Sequence, residues 1–392
     1  MADDLRTRLR ERIAGELESL RERSQLRSLE ILSGVNLCSN DYLGLAADPR
    51  LKQAVTEAVT SARQMGATGS RLLSGNSREW EELETEFAEF AGTESALYFS
   101  SGYAANVGLL SAILQPGDTV FSDTLNHASL IDGIRLSGAQ KLIYPHGDMQ
   151  FLEDALREKS CSAGAKVIVT ESIFSMEGDV ASIDDLLRLA KTYGAELIVD
   201  EAHALGVCGP EGRGVVAELK FEREIFAIVY PCGKTLASAG AFVCCGAALK
   251  EFLVNRARTF LFSTALPPYF ARQIRAALAL ARGEDSRRKH LKELSIALRE
   301  GLFAAGLNYG ASSTQIVPVI LGSNEVALRV AAQLQGAGFA VRAIRPPTVP
   351  AGTARIRVSL TSSVTVENIH RLAAVLQDAV QTPAQAVTVA HA

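Results

Sequence analysis

Short apolar stretches alternate with helical patterns through the middle of the chain. Most of these stretches are separated by segments with a helical period, such as SIDDLLRLAKTYG. They span residues 96–100, 118–123, 141–145, 166–174, 196–203, 225–230 and 241–246. Continuous apolar strands that alternate with helices are typical of a mainly parallel sheet covered on both faces. The sequence therefore predicts an α/β fold with a mainly parallel seven-stranded sheet and helices on both faces.

The two ends of the chain carry other patterns. Near the N-terminus, apolar residues at helical spacing predict an amphipathic helix that packs on the body of the protein or on a partner. These residues are Leu5, Leu9, Ile13, Leu17 and Leu20. After residue 281, a long charged helix (286–306) precedes strand patterns at 314–322, 339–344 and 354–360, with a helix at 325–338. This pattern of helices and strands predicts a smaller α+β domain.

The patterns divide the chain into three parts. We expect an N-terminal helix and arm over residues 1–45 and a large α/β domain over 46–281. We expect a small C-terminal α+β domain over 282–392, with a disordered tail at 381–392 that has little to bury. A short strand and turn are predicted in VNLCSNDYLGL, and a helix over 51–59.

Composition narrows the classes of function. The net charge is −4 and no basic stripe is present, so we expect no nucleic-acid partner. No apolar run is long enough to cross a bilayer, and the charged N-terminus lacks the apolar core of a secretory signal. The six cysteines form no C-x-x-C pair, which disfavours a zinc site or a disulfide framework. We therefore expect a cytoplasmic protein without membrane partners.

Polar residues occupy the ends of several predicted strands. In ELIVDEAH, Asp200 directly follows Ile198 and Val199, and His203 comes three residues later. Lys234 lies between two apolar strands, where a buried lysine must be neutral, paired or covalently used. In open α/β sheets, ligands bind beyond the carboxyl ends of the strands. These side chains are therefore candidates for a ligand site.

Three more strand ends complete the set. Gly102 opens a helix after a strand, as in anion sites, His127 lies in a polar turn, and Glu171 and Ser175 follow another strand. Each feature alone is more often a cap, an ion pair or an ordinary turn. Together with Lys234 and Asp200 they match the needs of pyridoxal 5′-phosphate (PLP), which requires a lysine, a carboxylate, a phosphate cradle, a flat partner and donors to its phenolic oxygen. The sequence predicts a PLP site and no metal site.

The order of motifs resembles that of the α-oxoamine synthases. These are homodimeric fold-type I PLP enzymes that join an amino acid to an acyl thioester with loss of CO2. The resemblance covers residues 36–360 and includes the lysine loop. The other motifs are SNDYLGL, GATGSRLLSGNS, SSGYAAN, LNHASLIDG, ESIFSMEGD, DEAHALGVCGPEGRG and IRPPTVPAGTARIR.

The resemblance implies roles around the cofactor. Lys234 corresponds to the Schiff-base lysine and Asp200 to the partner of the pyridine nitrogen. His127 corresponds to the stacking residue, and the phosphate is bound by amides of two consecutive residues. These two residues are Gly102 and Tyr103, and the residues near the phenolic oxygen are Ser175 and His203. The expected catalytic residues are Lys234, His127, Asp200 and His203.

The resemblance also implies a substrate site and a dimer contact. Arg357 resembles the arginine that binds the amino-acid carboxylate, and Asn40, His127 and Thr348 line the same site. Either Arg21 or Arg23 corresponds to an N-terminal substrate arginine, since the segment that follows is shortened here. Two residues in FSTALPP, Ser263 and Thr264, are expected to reach the cofactor phosphate of the neighbouring subunit.

The last motif most resembles the branch of the family that uses L-alanine and a pimeloyl thioester in biotin biosynthesis. The acyl carrier, coenzyme A or an acyl carrier protein, stays open. Other branches use glycine or serine, and an aminotransferase or a non-catalytic relative are further alternatives. One departure concerns Pro231, which stands where the family usually has a phosphate-binding threonine. Thr235 or the partner chain could take over that contact.

Overall fold

The computed structural model describes residues 2–381, and from residue 8 onward it describes the side chains as well. The predicted tail at 381–392 lies outside the described residues except for Gln381. The strands are β1 Val35–Asn36, β2 Ser95–Phe99, β3 Thr119–Asp123, β4 Gln140–Tyr144, β5 Lys166–Glu171, β6 Glu196–Asp200, β7 Ala227–Pro231, β8 Ala241–Cys245, β9 Ile316–Gly322, β10 Phe339–Ala340, β11 Ala343–Ile344 and β12 Ala354–Ser359.

The helices follow the predicted alternation. They are α1 Ala2–Glu22, α2 Pro49–Thr60, α3 Arg78–Ala91, α4 Gly102–Ile113, α5 Ala128–Ser137, α6 Met149–Glu158, α7 Ile183–Tyr193, α8 Val215–Glu218, α9 Ala247–Arg256, α10 Arg258–Leu261, α11 Tyr269–Arg282, α12 Asp285–Ala304, α13 Asn324–Gly336 and α14 Val366–Gln381. No helix within residues 2–381 is both long enough and apolar enough to span a membrane.

The large sheet has seven strands in the order β2-β8-β7-β6-β5-β3-β4. β8 runs antiparallel to both of its neighbours, and the remaining pairs are parallel. The predicted mainly parallel seven-stranded sheet is therefore confirmed. Because the parallel strands all point the same way, the residues that follow β3, β5, β6 and β7 meet at one edge of the sheet.

Successive residues of the strands are buried on opposite faces. Ile228 and Tyr230 join one apolar cluster, whereas Val229, between them, joins the other. This alternation is the two-residue period of a strand, and both faces are apolar because helices cover both. In the first cluster, the Phe87 and Phe242 rings stack with centroids 3.8 Å apart.

The C-terminal strands form a separate three-stranded antiparallel sheet in the order β11-β12-β9. Its apolar side chains, such as Val317 and Ile356, belong to the same cluster as Phe87, so the two sheets share a continuous core. This arrangement places β12 close to the carboxyl edge of the large sheet. The bounds of the three domains stay a prediction.

The single strand predicted at 339–344 is divided in two. β10 pairs in parallel with β1, whereas β11 pairs with β12 in the other sheet. Between them, the Val341 carbonyl accepts a hydrogen bond from Gln335 Nε2 at 2.8 Å. That side-chain contact satisfies a backbone acceptor which a continuous strand would pair in a ladder. The chain changes sheets at this point.

The first helix forms as predicted, but the side chains of Leu9, Ile13 and Leu17 are exposed among the described residues. They do not pack on the body of this chain. Leu20 is half-buried, and the side chain of Leu5 lies outside the described residues. Packing of this helix on the body or on a partner stays a prediction.

Truncation of a stacked core ring should destabilise the fold. We expect Phe242→Ala to lower the free energy of unfolding by about 3–5 kcal/mol, because the change leaves a cavity against Phe87. The matched control is Phe303→Ala, whose ring is 77% exposed, with an expected change within about 0.5 kcal/mol. Urea unfolding midpoints measure both. Equal losses in the two variants would contradict the core assignment.

Candidate active site

A cleft of about 420 Å³ opens at the carboxyl edge of the large sheet. It lies where β2, β5, β6 and β7 end and α4 and α5 begin. The predicted site residues that line it are Asn40, Gly102, Tyr103, His127, Asp200 and Lys234. The strand-end rule therefore brings together residues as far apart as Gly102 and Lys234, and Asn40, which follows the short strand β1, lies beside them.

Lys234 lies in the turn that joins β7 to β8. Its Nζ is 3.2 Å from His203 Nε2. Burial lowers the pKa of Lys234, against the opposing effect of the Asp200 and Glu171 carboxylates. A lysine with a lowered pKa is the form that acts as a nucleophile or as a base, since a larger share of it is neutral amine.

Asp200 is the last residue of the central strand β6 and is buried. Its Oδ2 accepts a hydrogen bond from Asn106 Nδ2 at 2.7 Å, and its Oδ1 accepts from the Ala202 amide at 2.9 Å. These donors hold the carboxylate at the floor of the cleft. Sequence reasoning missed Asn106, although it is a polar residue in a mostly apolar helix, one turn after Gly102.

His127 caps the N-terminus of α5. Its Nδ1 accepts from the Ser129 amide at 3.2 Å and lies 2.7 Å from Ser129 Oγ, and that hydroxyl also accepts from Asn106 Nδ2 at 2.9 Å. Burial lowers the pKa of His127, and Asp200 partly opposes this. The ring is thus fixed in orientation beside Asp200 and presents a flat aromatic surface to the cleft.

His203 links the lysine to the N-terminal arm. Its Nδ1 is 2.5 Å from the Tyr42 hydroxyl, while its Nε2 contacts Lys234. Burial, together with the positive charges of Lys234 and Arg357, holds the pKa of His203 well below its usual range. A neutral imidazole can accept at one nitrogen and donate at the other, so it joins the lysine and the phenol. Tyr42 lies in the SNDYLGL motif but was not assigned a role.

Arg357 reaches the site from β12. Its Nε donates to the Ser175 carbonyl at 2.5 Å, and its Nη2 donates to Asn40 Oδ1 at 3.2 Å. Asn40 Oδ1 also accepts from the Tyr42 hydroxyl at 3.2 Å and from Ser359 Oγ at 3.1 Å. The guanidinium is buried between the two sheets, and Asn40, one of its partners, lines the cleft.

The N-terminal arginines do not line the cleft. Arg21 pairs with Glu18 within α1, and Arg23, just after the helix, pairs with Glu16. A third arginine, Arg27, instead donates to Thr348 Oγ1 at 3.3 Å and to the carbonyls of residues 345 and 346. The roles of Arg21, Arg23 and Thr348 stay predictions. The contact between Arg27 and Thr348 was not predicted from the sequence.

The N-terminus of α4 forms one wall of the cleft. Ser101 Oγ accepts from the Ala104 amide at 3.0 Å, while the first amides of a helix have no acceptor within it and can bind an anion. A Cβ at Gly102 would lie 3.0 Å from Pro231 Cγ, so glycine allows the close approach of the two walls. Thr235 is buried, lies against Gly206 and does not line the cleft.

Ser263 and Thr264 line a small neighbouring cavity that shares Ser100 with the cleft. They do not line the cleft itself. Their predicted contact with the neighbouring subunit's phosphate stays a prediction.

Two further acidic residues lie at or next to the ends of β5 and β6. Glu171, at the end of β5, lines the cleft, and its Oε1 is buried with no hydrogen-bond partner among the described residues. Burial raises the pKa of Glu171 well above its usual range, and the Asp200 charge adds to the effect. Glu201 instead accepts from the Val216 amide at 2.7 Å and from Ser172 Oγ at 2.8 Å, and burial raises its pKa to about 7.

The chain matches a known family over most of its length. Residues 33–376 match the model of aminotransferase class I and II. The chain belongs to this family. It is 44% identical over 379 residues to an 8-amino-7-oxononanoate synthase of Geobacter sulfurreducens, and the match covers 93% of this chain and 96% of the relative.

Solved structures agree with this assignment. A structure of SPT (serine palmitoyltransferase) with PLP as its internal aldimine has a TM-score of 0.86 at 29% identity, covering 94% of this chain and 96% of that one. An 8-amino-7-oxononanoate synthase from Francisella tularensis has a TM-score of 0.77 at 29% identity, covering 89% and 98%. The predicted fold class and the resemblance to α-oxoamine synthases are confirmed.

The raised pKa of Glu201 makes stability depend on pH. A carboxyl whose pKa is higher in the folded than in the unfolded state stabilises the fold at low pH, and this contribution is lost as pH rises through about 7. We compare the free energy of unfolding of Glu201→Gln with that of the wild type. The difference should shift in favour of the variant by about 1–3 kcal/mol as pH rises from about 5 to about 9. Chemical denaturation across this range measures the difference. The exposed Glu300→Gln is the control, and a parallel pH course in both variants would contradict the assignment.

Proposed function

We propose that the protein catalyses the decarboxylative condensation of L-alanine with a pimeloyl thioester, using PLP as cofactor. This reaction yields 8-amino-7-oxononanoate in biotin biosynthesis. The observation that carries the proposal is the placement of Lys234 Nζ in one cleft with the Asp200 carboxylate and the α4 amides. The relative from Geobacter sulfurreducens, 44% identical over 93% of this chain, supports the choice of reaction.

The residues present fit PLP. The cleft offers an amine with a lowered pKa, a buried carboxylate held by Asn106, a flat imidazole and a helix N-terminus free of an obstructing Cβ at Gly102. Lys234 would hold the aldehyde carbon and Asp200 the ring nitrogen. His127 would cover the ring, and the Gly102 and Tyr103 amides would bind the phosphate. When bound, PLP supplies an electron sink that stabilises negative charge at the amino-acid α-carbon.

The side chains of this protein provide the other functions of the site, which are proton transfer, positioning of Lys234 and carboxylate binding. Neutral Lys234 Nζ can accept the proton from the α-carbon, because burial favours the uncharged amine. His203 contacts that nitrogen through its Nε2, and the Tyr42 hydroxyl orients the imidazole ring through its Nδ1. Arg357, whose planar guanidinium is buried beside Asn40, would bind the carboxylate of alanine. Asn40 fixes that guanidinium through its Oδ1.

A second candidate uses serine instead of alanine. It is favoured by the TM-score of 0.86 with SPT, which is higher than the 0.77 with the Francisella tularensis 8-amino-7-oxononanoate synthase. Both structures share 29% identity with this chain. The sequence relationship to the Geobacter sulfurreducens relative is closer, at 44%, and supports alanine.

The decisive experiment is the product mass after purified, PLP-loaded protein is mixed with alanine and pimeloyl thioester. We expect the mass of 8-amino-7-oxononanoate, and no product with serine or glycine in its place. Coenzyme A and acyl carrier protein thioesters are tested in parallel. Conversion of the cofactor to its pyridoxamine form by alanine alone, without thiol release, would identify an aminotransferase instead.

Loss of the amine should abolish turnover. We expect Lys234→Ala to lose at least about 10³-fold in activity, because the cleft offers no second amine among the residues that the structure describes. After borohydride treatment of the wild type, peptide mapping should locate the cofactor on Lys234. The exposed Lys289→Ala is the control and should keep full activity. Wild-type rates in Lys234→Ala would refute the role.

We also propose a homodimer in the cytoplasm. The loop at residues 69–75 packs against 263–265, where the Ala265 amide donates to the Gly69 carbonyl at 2.9 Å. This surface exposes Leu73 by 84% and Phe262 by 73%, next to Ser263. Adjoining exposed apolar side chains are typical of an interface between subunits. The free thiols of all six cysteines support a reducing compartment.

A charge on this surface should separate the subunits. We expect Phe262→Asp to yield monomers in sedimentation velocity at a concentration where the wild type is dimeric, because an interface desolvates the new carboxylate. Phe303→Asp changes a similarly exposed ring elsewhere and should leave the dimer intact. A monomeric wild type, or a dimeric Phe262→Asp, would contradict the proposed interface.

A further inference from the structure

A half-buried histidine lies between two carboxylates outside the cleft. His146 follows β4, and its Nδ1 lies 3.0 Å from Asp123 Oδ1. Its Nε2 lies 2.9 Å from Asp179 Oδ2. A ring that faces a carboxylate at both nitrogens must donate from both, and only the imidazolium can do so. His146 therefore joins Asp123, at the end of β3, to Asp179, which follows β5.

The surrounding charges keep this ring protonated. Burial disfavours the charged form, but hydrogen bonds to Asp123 and Asp179 outweigh it and raise the pKa of His146 to about 10. Glu177 and Tyr144 are the other titratable groups near the cluster, and burial raises the pKa of both. The two ion pairs are thus present at neutral pH and are lost as pH rises through about 10.

Asp179 belongs to a tight turn that spans residues 174–179. The Gly178 amide donates to the Phe174 carbonyl at 2.9 Å, and the Phe174 amide donates to the Asp179 carbonyl at 3.1 Å. The His146 ring also packs edge-on against Phe174, with centroids 4.4 Å apart. His146 therefore contacts both ends of the turn, one by charge and one by ring packing.

The opposite side of the turn binds β12. Arg357 Nε donates to the Ser175 carbonyl at 2.5 Å, and Arg355 Nη1 donates to the Met176 carbonyl at 3.1 Å. The two arginines are two residues apart on one strand, so they lie on the same face of it. Arg355 also pairs with the Glu177 carboxylate at 2.9 Å. The position of the turn therefore determines the position of the Arg357 guanidinium.

We propose that His146 is a positioning residue for amino-acid binding. Through Asp179 and the turn at 174–179, it fixes the Ser175 carbonyl that orients Arg357 towards the substrate carboxylate. The nature of the substrate rests on the proposed function above, whereas the mechanical link from His146 to the turn does not. His146 touches neither the cleft nor its ligands and acts through the turn.

The variant His146→Gln removes the positive charge and the ring packing. We expect the Kd for alanine, measured by absorbance titration of the PLP-loaded protein, to rise roughly tenfold, because a hydrogen bond to a charged group is misaligned. The kcat at saturating alanine should stay within about threefold, since Lys234 and Asp200 are untouched. His290→Gln, which alters a histidine bonded to the Val364 carbonyl, is the matched control and should change neither value.

Two further measurements separate positioning from a general loss of structure. Hydrogen exchange of the Phe174 and Gly178 amides should accelerate in His146→Gln, while exchange in β6 stays at the wild-type rate. This measurement needs no substrate, so it tests the link even if alanine does not bind. In an Arg357→Lys background, His146→Gln should add little to the loss of alanine affinity, because both changes act on the same contact. Unchanged exchange of the turn, or fully additive losses, would overturn the proposal.

Discussion

The structure depends on how a negative charge is held at the end of its central strand. Asp200 terminates β6, with parallel strands on both sides and helices above and below, so water cannot solvate it freely. Asn106 and the Ala202 amide donate hydrogen bonds to its oxygens, and Lys234 lies in the same cleft. Each of these groups is itself fixed by a strand end or a helix start. The cleft is thus a consequence of compensating one buried carboxylate.

Much of this could be predicted from the sequence because the determining signals are local. Continuous apolar stretches indicated all seven strands of the large sheet. The positions at the ends of these strands indicated the candidate site residues Lys234, Asp200, His127 and Gly102. Parallel strands bring their ends together wherever the intervening helices lie. The pattern of apolar residues, together with the rule that ligands bind beyond the strand ends, was therefore enough to predict that separate segments form one site. The strand order was not needed.

The remaining contacts could not be read from the sequence because they join segments that are far apart. The contact of Tyr42 with His203 spans 161 positions, and the contact of Arg357 with the Ser175 carbonyl spans 182. Nothing local to Arg357 indicates which surface β12 faces, and only the family resemblance suggested its role. The division of residues 339–344 into two strands could not be predicted either. It depends on Gln335 of the preceding helix, whose side chain donates to the Val341 carbonyl between the two strands.

That division has a mechanical consequence for the N-terminal arm. β10 is paired to β1, and only two residues separate it from β11, which is paired to the strand that carries Arg355 and Arg357. A displacement of residues 35–36 cannot be absorbed in so short a connection, so it must shift the edge of the small sheet. The arm is therefore coupled to β12 through two strand pairings and one short connection, in addition to the direct contact of Tyr42 with His203.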